Sequence, residues 1–104
     1  MDLRRYMRKT HDICEKGRNK MKPLRKWLDE QGIKWTDNSD VGMIRTHFYI
    51  NGKHWSVIFG AYSYGAEQGL LELWTQNVNG GEPLGFLTVD DITELIKKEL
   101  KTND

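Results

Sequence analysis

Apolar and polar residues alternate most regularly between Met43 and Gly60, on either side of Asn51-Gly52. Asn-Gly between two alternating runs predicts a β-hairpin, because a type I′ turn needs positive φ at both central residues. A two-residue turn fixes the register. Ile50 then faces Lys53, Tyr49 faces His54, Phe48 faces Trp55, His47 faces Ser56, Thr46 faces Val57, Arg45 faces Ile58 and Ile44 faces Phe59. Alternation across the pleat puts Ile44, Thr46, Phe48, Ile50, Trp55, Val57 and Phe59 on one face, a core. The other face receives Arg45, His47, Tyr49, His54 and Ser56, with Met43 and Ile58 beside them.

Around the hairpin the period changes. Over residues 2–16, Leu3, Tyr6, Met7, Thr10, Ile13 and Cys14 fall in one helical arc and Arg4, Arg5, Arg8, Lys9, His11 and Lys16 opposite, with Gly17 as the stop. A second helix is predicted at about residues 20–31, with Pro23 in its first turn, Met21, Leu24, Trp27 and Leu28 inward and Gly32 as terminator. Ile33 to Thr36 forms a short strand, Asp37 to Asp40 a polar turn, Gly60 to Gly69 a loop and Leu70 to Gln76 a strand. Thr88 is an N-cap for a last helix that presents Val89, Ile92, Leu95, Ile96 and Leu100 on one side. The predicted order is α-α-β-β-β-β-α: an α+β fold with a four-stranded antiparallel sheet and helices on one face. Its second sheet face is left to solvent or to a partner.

Length alters this picture little: 104 residues suit one domain, with 1–18 as a basic amphipathic helix and 20–104 as the α/β core. Charge alters it more. The net charge is +1, but residues 1–26 hold ten basic and three acidic residues, a net +7. Residues 27–104 hold six basic and twelve acidic, a net −6. A basic arm is joined to an acidic body. The charged N-terminal stretch lacks the apolar segment of an export signal, and no run is apolar enough to span a bilayer. The single cysteine, Cys14, has no internal partner, which fits a reducing, cytoplasmic setting.

Candidate chemistry is sparse. Arg45, His47, Tyr49 and His54 on the polar hairpin face, joined by Glu72 if its strand pairs beside residues 53–59, form a set capable of acid–base work in a small hydrolase or nuclease. No nucleophile motif, Gly-rich phosphate loop or paired carboxylates with a following lysine accompany them, so a non-enzymatic reading leads. Two histidines and a remote cysteine fall short of a zinc site, and no cofactor or metal is expected. Tyr62 and Tyr64 in the glycine-rich loop suit stacking on a partner. Arg4, Arg5, Arg8 and Lys9 suit phosphates or an acidic partner.

The order of elements invites comparison with double-stranded-RNA-binding domains, but the start of the last helix carries Asp90 and Asp91 where such domains hold phosphate with lysines. A closer likeness runs over residues 24–96. Trp27-Leu28-Asp29-Glu30, Gly32-Ile33, Ser63-Tyr64-Gly65, Glu67, Gly69-Leu70-Leu71-Glu72, Gly85-Phe86-Leu87-Thr88 and Asp91 resemble small uncharacterised proteins carried by bacterial phages and integrative elements. The resemblance implies a mobile-element origin and no particular activity, and the basic N-terminal helix is a departure from it. It implies a binding protein whose partner is a host or phage protein, with inhibition of a host defence nuclease as one form. Direct binding of nucleic acid by the basic helix is the alternative.

Overall fold

The computed structural model describes residues 3–60, 63–76 and 79–102, and the side chains of 15–60, 63–76 and 80–102. Helix α1 (Leu3–Glu30) is followed by strands β1 (Trp35–Asp37), β2 (Met43–Ile50), β3 (Lys53–Gly60), β4 (Leu71–Thr75) and β5 (Leu84–Leu87), and then by helix α2 (Val89–Lys101). The strands form one antiparallel meander in the order β1-β2-β3-β4-β5. The α+β class and the antiparallel sheet agree with the sequence pattern, whereas the strand number and the helix count do not.

The hairpin has the expected register at every pair from Ile44↔Phe59 to Ile50↔Lys53. Asn51 and Gly52 carry φ of 52° and 78°, the positive values a type I′ turn requires. All seven residues assigned to its core face are buried, and Leu71, Leu73 and Thr75 of β4 continue that layer. Met21, Leu24 and Leu28 of α1 and Ile92 and Ile96 of α2 close over it, so both helices cover the same side of the sheet. The capping box of α2 is formed: Thr88 Oγ1 accepts from the Asp91 amide at 3.1 Å, and Asp91 Oδ2 accepts from the Thr88 amide at 2.9 Å.

One helix replaces the two that were expected, because Gly17 is not a stop. It is buried where α1 lies closest to the sheet, and a Cβ there would fall 2.6 Å from Ile44 Cγ1 and 3.1 Å from Phe59 Cδ1. The residue is needed for its missing side chain rather than for a left-handed turn. Pro23 also lies within α1 instead of at its start. It lacks an N–H for the preceding turn, at a cost of about 3 kcal/mol in a helix interior. Burial of Met21, Leu24 and Leu28 beside it opposes that cost. From Gly17, over Ile44 and Phe59, α1 runs to Arg25, whose Nε donates to the buried Thr46 hydroxyl at 2.9 Å and whose guanidinium stacks on Trp35 at 4.6 Å. The hairpin ends one residue beyond Ile44 and Phe59, at Met43 and Gly60. The first turns of α1, at about 1.5 Å per residue, therefore run on past the edge of the sheet.

The fifth strand, β5, was not expected. It pairs Leu87 with Leu71 and Leu84 with Leu73, so three steps along β5 match two along β4. Phe86, at φ 61°, absorbs the extra residue. That bulge destroys the two-residue period by which a strand is recognised. The first strand is also displaced, from residues 33–36 to Trp35–Asp37, with Ile33 packed against the core before it.

Candidate functional site

The second face of the sheet lies opposite both helices, and the loops after β3 and β4 touch it at Glu72 and Trp74. Its side chains stand in cross-strand rows: Thr36, His47, Ser56 and Trp74 in one, Arg45, Ile58 and Glu72 in the next, and Tyr49 with His54 toward the hairpin turn. The pleat brings four of the sequence-predicted site residues, Arg45, His47, Tyr49 and His54, onto this one face. His47 and His54 meet edge to face with ring centroids 4.7 Å apart. Tyr49 lies 5.2 Å and Trp74 5.9 Å from the His54 ring. The His47 pKa is held below the usual 6.5 by desolvation first, then by the neighbouring His54 and Arg45 charges.

Trp74 is fixed by its indole N–H, which donates to the Gly81 carbonyl at 2.8 Å. Glu72 Oε1 accepts from the Tyr64 amide at 3.2 Å and so ties the loop after β3 to the same face. Two glycines let that loop interlock with β5. A Cβ on Gly85 would fall 2.2 Å from Tyr64 Cβ, and one on Gly65 would fall 2.8 Å from Phe86 Cα. The Phe86 amide donates to the Tyr64 carbonyl at 3.2 Å. Tyr64 and Phe86 are held side by side there, 60% and 57% exposed, at the rim of a hollow of about 270 Å³. With Tyr49, 67% exposed, they make three exposed aromatic rings.

The acid–base set does not assemble. β4 pairs with β3 as needed, but Glu72 lies opposite Ile58, four residues along β3 from His54. At about 3.3 Å per residue that is roughly 13 Å along the strand, and Glu72 is already engaged by Tyr64. Among the described residues no group of three or more His, Cys, Asp or Glu is placed to share a metal ion, and no helix is long and apolar enough to cross a membrane.

Tyr62 lies outside the described residues. Arg4, Arg5, Arg8 and Lys9 fall on the first turns of α1, and their side chains are also outside them. Sequence reasoning missed Phe86, because its strand was missed. Trp74 was not counted in the site either, although alternation along β4 puts it on the same face as Glu72. The chain matches no protein family, no curated protein and no solved structure.

Proposed function

We infer that this chain is a non-enzymatic binding protein that docks another protein on the open face of its sheet. The observation that carries the reading is the exposure of Tyr49, Tyr64 and Phe86, with Tyr49 on the sheet face opposite both helices and Tyr64 joined to that face through Glu72. Exposed aromatic rings beside polar groups are the composition of interface hot spots, where truncation of a central ring commonly costs 2 kcal/mol or more. Two features favour recognition over turnover. Among the described residues Glu72, the carboxylate that the strand register puts on the face, is spent on the Tyr64 amide, and the histidines meet each other rather than an acid. A phage or mobile-element origin, which the sequence pattern implies, would fit the same reading, since small non-catalytic proteins of such elements act on other macromolecules.

The test places a photo-crosslinking amino acid at Tyr49 or Phe86, and as a control at Lys97 on the exposed side of α2. The protein captured at the first two positions is identified, purified and titrated against Tyr49→Ala and Phe86→Ala. Capture at the sheet face alone, with at least tenfold weaker binding by each variant, is the expected result. Equal capture at Lys97, or affinities that do not change, would overturn the reading.

A further inference from the structure

The outer side of α1, away from the sheet, carries cations that no ion pair among the described residues uses. Lys16, Arg18, Lys20, Lys22 and Lys26 are all exposed. None of them is in an ion pair among the described residues, whereas Arg25 on the same helix is tied to Asp37 at 3.4 Å. Glu15 is the only carboxylate between residues 15 and 26.

Their spacing is regular. Arg18, Lys22 and Lys26 follow at i, i+4 and i+8 and form one row along the helix. Lys16 and Lys20 form a second row on the other side of Asn19. The fold fixes which way each flank points. Lys20 lies beside Gly69 toward β4, and Arg25, adjoining the first row, reaches Asp37 of β1. Among the described residues the crest between the rows has no other element above it, since the sheet and α2 lie on the buried side. A helix with side chains is about 10–12 Å across. Cations along both flanks of such a rod match an anion lattice that rises on both sides of it.

We propose that α1 is a DNA-binding helix that lies in the major groove of a duplex, with Arg18, Lys22 and Lys26 on the phosphates of one strand and Lys16 and Lys20 on those of the other. The major groove of B-form DNA, about 12 Å wide, admits a helix with phosphates along both walls. The charge pattern is complementary to that partner, and contact ends before Asp29 and Glu30, where α1 turns acidic. The first turns of α1, which run on past the sheet, extend the same rod and carry Arg4, Arg5, Arg8 and Lys9. Contacts of this kind position a protein on DNA without reading sequence. The surface is separate from the aromatic face, and neither assignment depends on the other.

Fluorescence anisotropy with a short labelled DNA duplex, measured across a series of salt concentrations, tests the proposal. The full chain should bind with a steep salt dependence. Arg18→Gln/Lys22→Gln/Lys26→Gln should lower the slope of log affinity against log salt by about 0.9 per cation, roughly 2.7 in all. The other flank, Lys16→Gln/Lys20→Gln, should lower it by about 1.8 on the same basis. The charge-conserving Arg18→Lys/Lys22→Arg/Lys26→Arg should bind as the parent does, and so should Tyr49→Ala/Phe86→Ala. An RNA duplex of the same length should bind more weakly, because the deep, narrow major groove of A-form helices does not admit a helix. Absence of salt-dependent DNA binding, an unchanged slope in both Gln variants, or equal affinity for the RNA duplex would each overturn the proposal. So would binding of DNA that the aromatic-face variant abolishes.

Discussion

Partial burial opposes protonation of His47 first, and a second imidazole across the hairpin and a cation on its own strand add to it. Its folded-state pKa lies below 6.5, while in the unfolded chain it titrates near 6.5. Between those two values the unfolded chain holds more protons, so stability rises with pH across the window. The contribution is complete above 6.5 and is lost as pH falls through the folded value. Thermal unfolding followed between about pH 7.5 and pH 5 should therefore show a falling Tm that flattens in His47→Gln. An equal slope in the variant would mean that His47 titrates alike in both states. Thr36 of β1 and Ser56 of β3, the cross-strand neighbours of His47, bring no charge, so His54 and Arg45 are the groups that oppose it.

Helix α1 is the element whose behaviour departs most from its local sequence. Replacing glycine by alanine inside a helix is normally favourable by about 0.5–1 kcal/mol. At Gly17 the new methyl would meet Ile44 Cγ1 at 2.6 Å and Ile44 Cβ at 3.1 Å. Those atoms sit near the backbone of a paired strand and cannot swing away. Overpacking of this kind costs about 1–3 kcal/mol, so the sign should reverse and Gly17→Ala should lower the urea midpoint. A variant as stable as the parent would mean that α1 does not press on Ile44 at this point. The same contrast explains what could be read from the chain. The hairpin and its two faces were legible because Asn51-Gly52 and strict alternation are local signals. The continuity of α1 was not, because Gly17 and Pro23 both read as punctuation and only packing against Ile44 and Phe59 overrides them. β5 was hidden by the bulge at Phe86, and with it one of the three exposed rings. Tyr49, His47 and His54 were found because the pleat alone determines their side.

At the scale of the whole molecule, the two layers place the two proposed surfaces back to back. The aromatic face belongs to the sheet, and the basic crest belongs to the outer side of the helix layer. Both ligands should then bind together. Adding the crosslinked protein partner to a complex with labelled DNA should raise the anisotropy further, whereas displacement of the DNA would mean that the surfaces overlap. The meander carries a different consequence, one of time. Every strand pairs only with its neighbour in sequence, and the longest connection to be closed is residues 61–70. Loop closure over such distances is a small entropic cost, so the sheet can zip in sequence order at the rates of locally connected folds. The exception is α1, whose stripe of Gly17, Met21, Leu24 and Leu28 packs on strands made later. At about 5–20 residues per second, ribosomal synthesis leaves that stripe uncovered for seconds until β3 emerges. During that interval the cations along the opposite side of the helix repel other copies of the nascent chain and help keep it in solution.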